Sequence, residues 1–127
     1  MSKAPTWEDA PADQDYAAAA RYLSLLMSAE RSTELANGLK KGSLIAHRAN
    51  DLLRASGLSL VPPDDPEVAA DLKKVKQGKK LSPVLLVRGE LDDERPLTVA
   101  DGYHRICASY HLDPDSEIPC RVVSRSG

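Results

Sequence analysis

Four consecutive residues of the stretch VADGYHRICASY have the types and spacing that bind an anion. They lie where the apolar run LTVA ends and a run of helical periodicity begins. At such a strand-to-helix turn the first backbone N–H groups of the helix have no intrahelical partner, and the positive end of the helix dipole adds to them. A glycine lets oxygens approach the backbone, and an arginine binds phosphate through two nitrogens. The pattern predicts a phosphate-binding turn at Gly102, Tyr103, His104 and Arg105, preceded by Asp101.

Asp101 and His104 are the candidate catalytic residues of this turn. A phosphotransfer or hydrolase reaction would use His104 to donate or move a proton, with Asp101 orienting His104 or a Mg²⁺ ion. In the simpler interpretation Asp101 only caps the helix, and the histidine and arginine are solvated side chains. Lys79, in the lysine-rich run LKKVKQGKK, is a further phosphate-binding candidate, because positive charge beside an anion site attracts the ligand. No spacing typical of a metal site is present.

The elements that hold this turn follow from hydrophobic periodicity. Before residue 57 the segments DYAAAARYLSLLMS, 30–39 and SLIAHRANDLLRASG have apolar residues at helical spacing, which predicts three helices. Leu26 is expected on the apolar face of the first helix, and Asn37-Gly38 is a candidate stop or kink of the second. The third helix would carry Ile45 and His47 and would end at Gly57. Residues 1–56 are therefore expected to form a helical N-terminal extension.

After residue 57 strand and helix patterns alternate. LSLV predicts a short strand closed by two prolines, and DDPEVAADLKKVKQG predicts a helix that Asp65 caps and Pro66 begins. The runs VLLV and LTVA predict two buried strands, residues 103–111 a helix, and IPCRVV a last strand. The expected fold is α+β, with a small mixed sheet and packed helices formed by residues 57–127.

Composition limits the classes of function. The chain has 127 residues, 42% of them hydrophobic and 28% charged, and a formal net charge of −2. No apolar run approaches the roughly 20 residues that span a bilayer, so no membrane association and a cytoplasmic location are expected. The charge gives no global case for nucleic-acid binding, which would have to be local. Cys107 and Cys120 lie in apolar settings and are expected to be reduced core residues. Trp7 either packs onto the domain or contacts a partner.

The segments KLSPVLLVRG, PLTVADGYHRICASYHL and IPCRVV together resemble the ParB/sulfiredoxin superfamily, over about residues 57–124. In that superfamily the turn and the helix start bind nucleotide phosphates, of ATP in sulfiredoxins and of CTP in ParB proteins. The matching positions are Gly102, His104 and Arg105. The resemblance therefore implies a nucleotide ligand, CTP or ATP, with Mg²⁺.

Three departures from that superfamily narrow the expectation. Tyr103 stands where sulfiredoxins carry their catalytic cysteine, so sulfinic-acid reduction is not expected. Glu67 stands where sulfiredoxins place a lysine for the nucleotide, and the DNA-reading helices of ParB proteins have no counterpart here. Such domains often carry the name "ParB-like nuclease", and a nuclease activity here would depend on Asp101 and His104 alone. The alternative function is a non-enzymatic interaction or regulatory module that uses its N-terminal helices to bind a protein partner.

Overall fold

The computed structural model describes residues 4–125, in which helices cover both faces of a four-stranded sheet. The elements along the chain are α1 (Asp13–Leu23), α2 (Ala29–Lys40), β1 (Ile45–Arg48), α3 (Ala49–Ser56), α4 (Pro66–Lys76), β2 (Val84–Val87), β3 (Thr98–Asp101), α5 (Tyr103–Leu112) and β4 (Glu117–Val123). The strands lie in the order β1-β4-β2-β3. β4 and β2 are parallel, while β1 with β4 and β2 with β3 are antiparallel. The predicted α+β class and mixed sheet are confirmed.

β2 is buried on both faces and separates two hydrophobic cores. Val84 and Leu86 point into a core that α3, α4 and α5 cover, where Ile106 and Ile118 also lie. The alternate residues of β2 point to the opposite face, which α1 and α2 cover with side chains such as Leu23, Leu35 and Leu39. A continuous apolar run is the pattern of a strand covered on both faces, as the sequence predicted for VLLV.

Two helix boundaries form as the local sequence predicts. The Asp65 side chain accepts hydrogen bonds from the N–H groups of Glu67 and Val68, at 3.0 and 3.1 Å, and Pro66 is the first residue of α4. α3 ends at Gly57, which has φ of 69°. An aspartate at the N-cap and a left-handed glycine after the last turn satisfy backbone groups that the helix itself leaves unpaired.

The third predicted helix, expected to begin after Ser43, begins only at Ala49. Residues 45–48 form the edge strand β1, with Ile45 opposite Cys120 and His47 opposite Ile118. Ile45 is 53% exposed and so does not belong to the buried stripe of α3. Pairing with β4 outweighs the helical spacing of the apolar residues, because β4 needs a partner on its open side.

Three smaller expectations are also wrong. LSLV forms no strand, and the Ser59 and Val61 carbonyls instead accept hydrogen bonds from side chains of α5. Gly38 does not stop α2, because a Cβ there would lie 2.9 Å from Cγ2 of Val123, so the glycine serves close helix-to-strand packing. Leu26 follows the end of α1 and is 55% exposed.

Residues 4–56 share the sheet with the rest of the chain. They supply β1, and α1 and α2 pack on β3 and β4. The segment is therefore not purely helical, and its separation from 57–127 as a folding unit stays a prediction. Trp7 packs on the core that contains Val84 and Ile106, and its backbone forms a bridge with Leu81. Within residues 4–125, no helix has both the length and the apolar character that crossing a membrane requires.

Candidate functional site

The turn between β3 and α5 leaves the first amides of the helix uncapped. Gly102 occupies the N-cap with φ of 110°, and no side chain caps the helix. The first bond of the helix runs from the Ile106 N–H to the Gly102 carbonyl, at 3.1 Å. The N–H groups of Tyr103, His104 and Arg105 therefore have no helical partner. Asp101 does not cap α5, which excludes the simpler interpretation of that residue.

Gly102 is required for a reason that the sequence did not predict. A Cβ at this position would lie 2.8 Å from Cγ2 of Val84 and 2.9 Å from Nη2 of Arg105. The space that the missing side chain leaves is thus filled by protein, rather than kept for a ligand. Positive φ and close packing together select glycine at this turn.

Arg105 is already engaged in an ion pair. Its Nη2 donates to Oδ2 of Asp101 at 2.9 Å and approaches the Pro83 carbonyl at 3.4 Å. The two charged side chains are only 17% and 19% exposed, and Nε of Arg105 is buried without a partner. The guanidinium expected to clamp a phosphate is therefore held by the candidate catalytic aspartate.

Asp15 is a member of this cluster that sequence reasoning missed. It lies in the first turn of α1, is 6% exposed, and accepts a hydrogen bond from the Ala12 N–H at 2.9 Å. Burial raises the pKa of Asp101, the charge and hydrogen bond of Arg105 lower it, and the nearby Asp15 carboxyl raises it further. Nothing in the local sequence of α1 signals this contact, because it depends on how α1 packs against β3.

His104 faces the beginning of α4 rather than Asp101. Its Nδ1 lies 2.7 Å from Oε2 of Glu67, and its Nε2 lies 4.0 Å from Oδ2 of Asp65. The imidazole is 35% exposed, so one edge remains open to solvent. Glu67, not Asp101, is therefore the carboxylate that orients this histidine.

Tyr103 fastens the start of α5 to the segment before α4. Its hydroxyl donates a hydrogen bond to the Ser59 carbonyl, and its ring centroid lies 5.4 Å from that of His104. Burial raises the pKa of this phenol. The tyrosine side chain thus has a structural partner, and only its backbone N–H is available to a ligand.

The predicted residues from Asp101 to Arg105 surround one open pocket of about 280 Å³, which Glu67, Ala70 and Asp71 of α4 complete. Three carboxylates face the arginine and the histidine, so the lining carries more negative than positive charge. Burial raises the pKa of Asp71, and the positive charge of Arg105 partly opposes this. Among residues 4–125, no group of three or more histidine, cysteine or acidic residues is arranged to hold a metal ion.

Lys79 lies away from the other predicted site residues. It follows the C-terminal end of α4, where its N–H donates to the Lys74 carbonyl at 2.9 Å, whereas the pocket is at the N-terminal end of that helix. At a rise of about 1.5 Å per residue, the helix separates the two by more than about 10 Å. The sequence-based assignment of Lys79 to the phosphate site is therefore not supported by its position.

The cysteines and His111 have structural surroundings. Cys107 and Cys120 are free thiols and fully buried, as expected, and burial raises the pKa of Cys120 to about 12. Nε2 of His111 lies 2.7 Å from the Val61 carbonyl, and this contact connects the end of α5 to the segment between α3 and α4.

Comparison with known proteins identifies no relative: no family model, no curated protein and no solved structure matches the chain.

Proposed function

We propose that the protein binds the phosphate of a Mg²⁺–nucleotide at the start of α5. The observation that carries this proposal is the uncapped helix terminus, where the N–H groups of Tyr103, His104 and Arg105 lack helical partners beside an open pocket. Backbone donors and the helix dipole at such a terminus favour a negatively charged group.

The acidic lining accounts for the Mg²⁺. Glu67, Asp71 and Asp101 would repel a bare phosphate, and Arg105 is neutralised by its ion pair with Asp101. Mg²⁺ in nucleotide sites is usually held by one or two carboxylates together with the phosphate oxygens, so it does not need a cluster of protein ligands. Asp71 is the carboxylate that we assign to this ion, because Arg105 already holds Asp101.

The order β2, β3, Gly102 turn, α5 and β4 supports a ParB/sulfiredoxin-like domain over about residues 57–124, and with it CTP or ATP as the nucleotide. A phosphotransfer or hydrolase step at this site would use His104 to move a proton, since its imidazole borders the pocket. Glu67 would hold the ring in orientation through Nδ1.

Thermal unfolding with CTP, ATP, GTP and inorganic phosphate, each with and without Mg²⁺, tests the proposal. A nucleotide at a hundredfold excess over its dissociation constant adds about 2.7 kcal/mol to the free energy of unfolding. We expect this gain only with Mg²⁺, and we expect Asp71→Asn, which removes a carboxylate assigned to the ion, to weaken it. Lys79→Gln, which removes a cation outside the pocket, should leave it unchanged. No gain with any nucleotide, or a gain that Asp71→Asn leaves intact, would refute the site.

A second candidate is a non-enzymatic interaction module, predicted from the N-terminal helices. The Arg105–Asp101 pair favours it, because the pair satisfies both charges without a ligand. If no nucleotide stabilises the protein in the experiment above, this second function is the one that the structure supports.

A further inference from the structure

The outer end of the connection between β2 and β3 presents Leu91 beside three acidic residues, Asp92, Asp93 and Glu94. Glu90 and Arg95 exchange two backbone hydrogen bonds of 2.9 Å, and the Glu94 N–H donates to the Leu91 carbonyl at 3.1 Å. Leu91 is 93% exposed, more than any other large hydrophobic residue of the described chain. We call Leu91–Glu94 the acidic tip. A single exposed leucine is common on protein surfaces, so the feature that distinguishes this one is the cluster of acidic side chains beside it.

The acidic tip is held in a fixed position. At its base, a Cβ on Gly89 would lie 2.7 Å from the Arg95 carbonyl oxygen and from the Leu97 nitrogen, so the two arms are in close contact. Glu94 has φ of 55°, a conformation that side chains other than glycine adopt at a cost. A segment already ordered in this way loses little conformational entropy when it binds.

A groove of the opposite character lies beside the base of the same hairpin. We call it the arginine groove. Its lining carries three arginines, two acidic residues and apolar side chains: Arg54, Arg88, Arg95, Asp51, Glu94, Ile45, Leu97 and Val122. It consists of two adjoining cavities, of about 250 and 850 Å³, that share Arg88 and Leu97. α3 leaves this end of the sheet uncovered, and Ile45 remains 53% exposed there.

The acidic tip and the arginine groove carry opposite charges, and several of these charged side chains have no ionic partner within the described chain. Within residues 4–125, the side chains of Arg88, Asp92 and Asp93 form neither a hydrogen bond nor an ion pair, and Arg54 reaches Asp51 only at 3.7 Å between exposed groups. The acidic tip combines apolar surface with negative charge, and the arginine groove combines apolar surface with positive charge. Leu91 borders the groove of its own chain without being covered by it.

We propose that the acidic tip of one copy docks in the arginine groove of a second copy, so that two copies exchange tips across a two-fold axis. Leu91 would lie on the apolar floor near Leu97 of the other copy, and Asp92 and Asp93 would face its Arg88. The reciprocal arrangement forms both contacts at once, as in other symmetric dimers. The inference is independent of the nucleotide pocket, which is formed by α4 and α5.

Sedimentation equilibrium over a range of protein concentrations tests the dimer. We expect a monomer–dimer equilibrium that shifts toward monomer as salt is added, because salt screens exposed charges. Leu91→Ser and Arg88→Glu should each give monomers at concentrations where the original chain is dimeric. Lys79→Glu makes the same charge change as Arg88→Glu outside the groove and should not alter the equilibrium. Thermal unfolding of each variant verifies that it is folded.

A charge exchange gives the sharpest form of the test. Arg88→Glu places acid in the groove, and the double change Asp92→Lys with Asp93→Lys places base on the tip, so each chain alone should be monomeric. Mixed together, the two chains form both contacts with opposite charges and should make a heterodimer. A monomeric original chain at every concentration, a dimer that neither Leu91→Ser nor Arg88→Glu weakens, or a mixture that stays monomeric would each overturn the proposal.

Discussion

Arg105 of α5 donates to Asp101, the last residue of β3, at 2.9 Å, and this ion pair bridges the turn at Gly102. The pair engages Arg105, which the sequence predicted to bind phosphate, and Asp101, which the sequence predicted to take part in catalysis. A ligand at the free amides of α5 therefore competes with Asp101 for Arg105 or brings its own counterion. The pair is also a stability element, since it joins a strand end to a helix start.

Replacing Arg105 with methionine should destabilise the fold. The substitution leaves Asp101 without its partner beside Asp15, at a cost of about 1–3 kcal/mol in the free energy of unfolding at pH 7. Urea denaturation measures the change. The double variant Arg105→Met with Asp101→Asn should lose less than the sum of the two single variants, because the pair interacts directly. Strict additivity would contradict the ion pair.

Replacing Asp71 with asparagine should stabilise the protein at neutral pH. Burial raises the pKa of Asp71 above 3.8 in the folded state, so folding favours its protonated form. That contribution is fully present below the unfolded pKa and is lost as pH rises through the folded pKa. Asparagine is not subject to this loss, so urea denaturation should show a higher free energy of unfolding at pH 7, and this gain should vanish below about pH 3.8. The exposed change Asp9→Asn is the control.

Alanine at Gly102 should cost more than alanine at Gly57. Both glycines have positive φ, but a Cβ at Gly102 meets Val84 and Arg105 within 3 Å, whereas nothing lies within 4 Å of one at Gly57. Gly57→Ala should cost about 1 kcal/mol from backbone strain alone. Gly102→Ala adds the clash and should cost about 2–3 kcal/mol. Equal losses measured by urea denaturation would show that packing at Gly102 is unimportant.

The two thiols should be unreactive until the protein unfolds. Cys107 and Cys120 have no exposed surface, and burial raises the pKa of both, to about 12 for Cys120. Since the thiolate is the reactive form, a thiol reagent should modify neither cysteine in the native protein near pH 8. Both should be modified in strong denaturant. Rapid labelling of either thiol under native conditions would contradict the core assignment.

The elements that could be predicted are those in which local pattern and tertiary packing agree. VLLV reads as a doubly buried strand and is one, and Asp65 with Pro66 begins α4. β1 could not be predicted, because its spacing continues the apolar stripe of α3 and only β4 makes it a strand.

The candidate site was predictable in its backbone and not in its charges. A strand, a glycine and a helix in succession are sufficient to predict free amides beyond residue 102. That Glu67 would contact His104, and that Asp15 would reach Asp101, depends on packing between distant segments. Long-range contacts of this kind leave no local periodicity to detect.

The position of β4 has a consequence for synthesis on the ribosome. In the sheet β4 lies between β1 and β2, and it pairs with both. β1 and β2 are therefore joined only by a strand that is synthesised after both of them. Until residues 117–123 leave the exit tunnel, the nascent chain contains the single strand β1 and the β2–β3 pair without the strand that joins them. Chain termination or ribosome stalling before that point would leave two strand edges unpaired, and such edges pair readily with other chains.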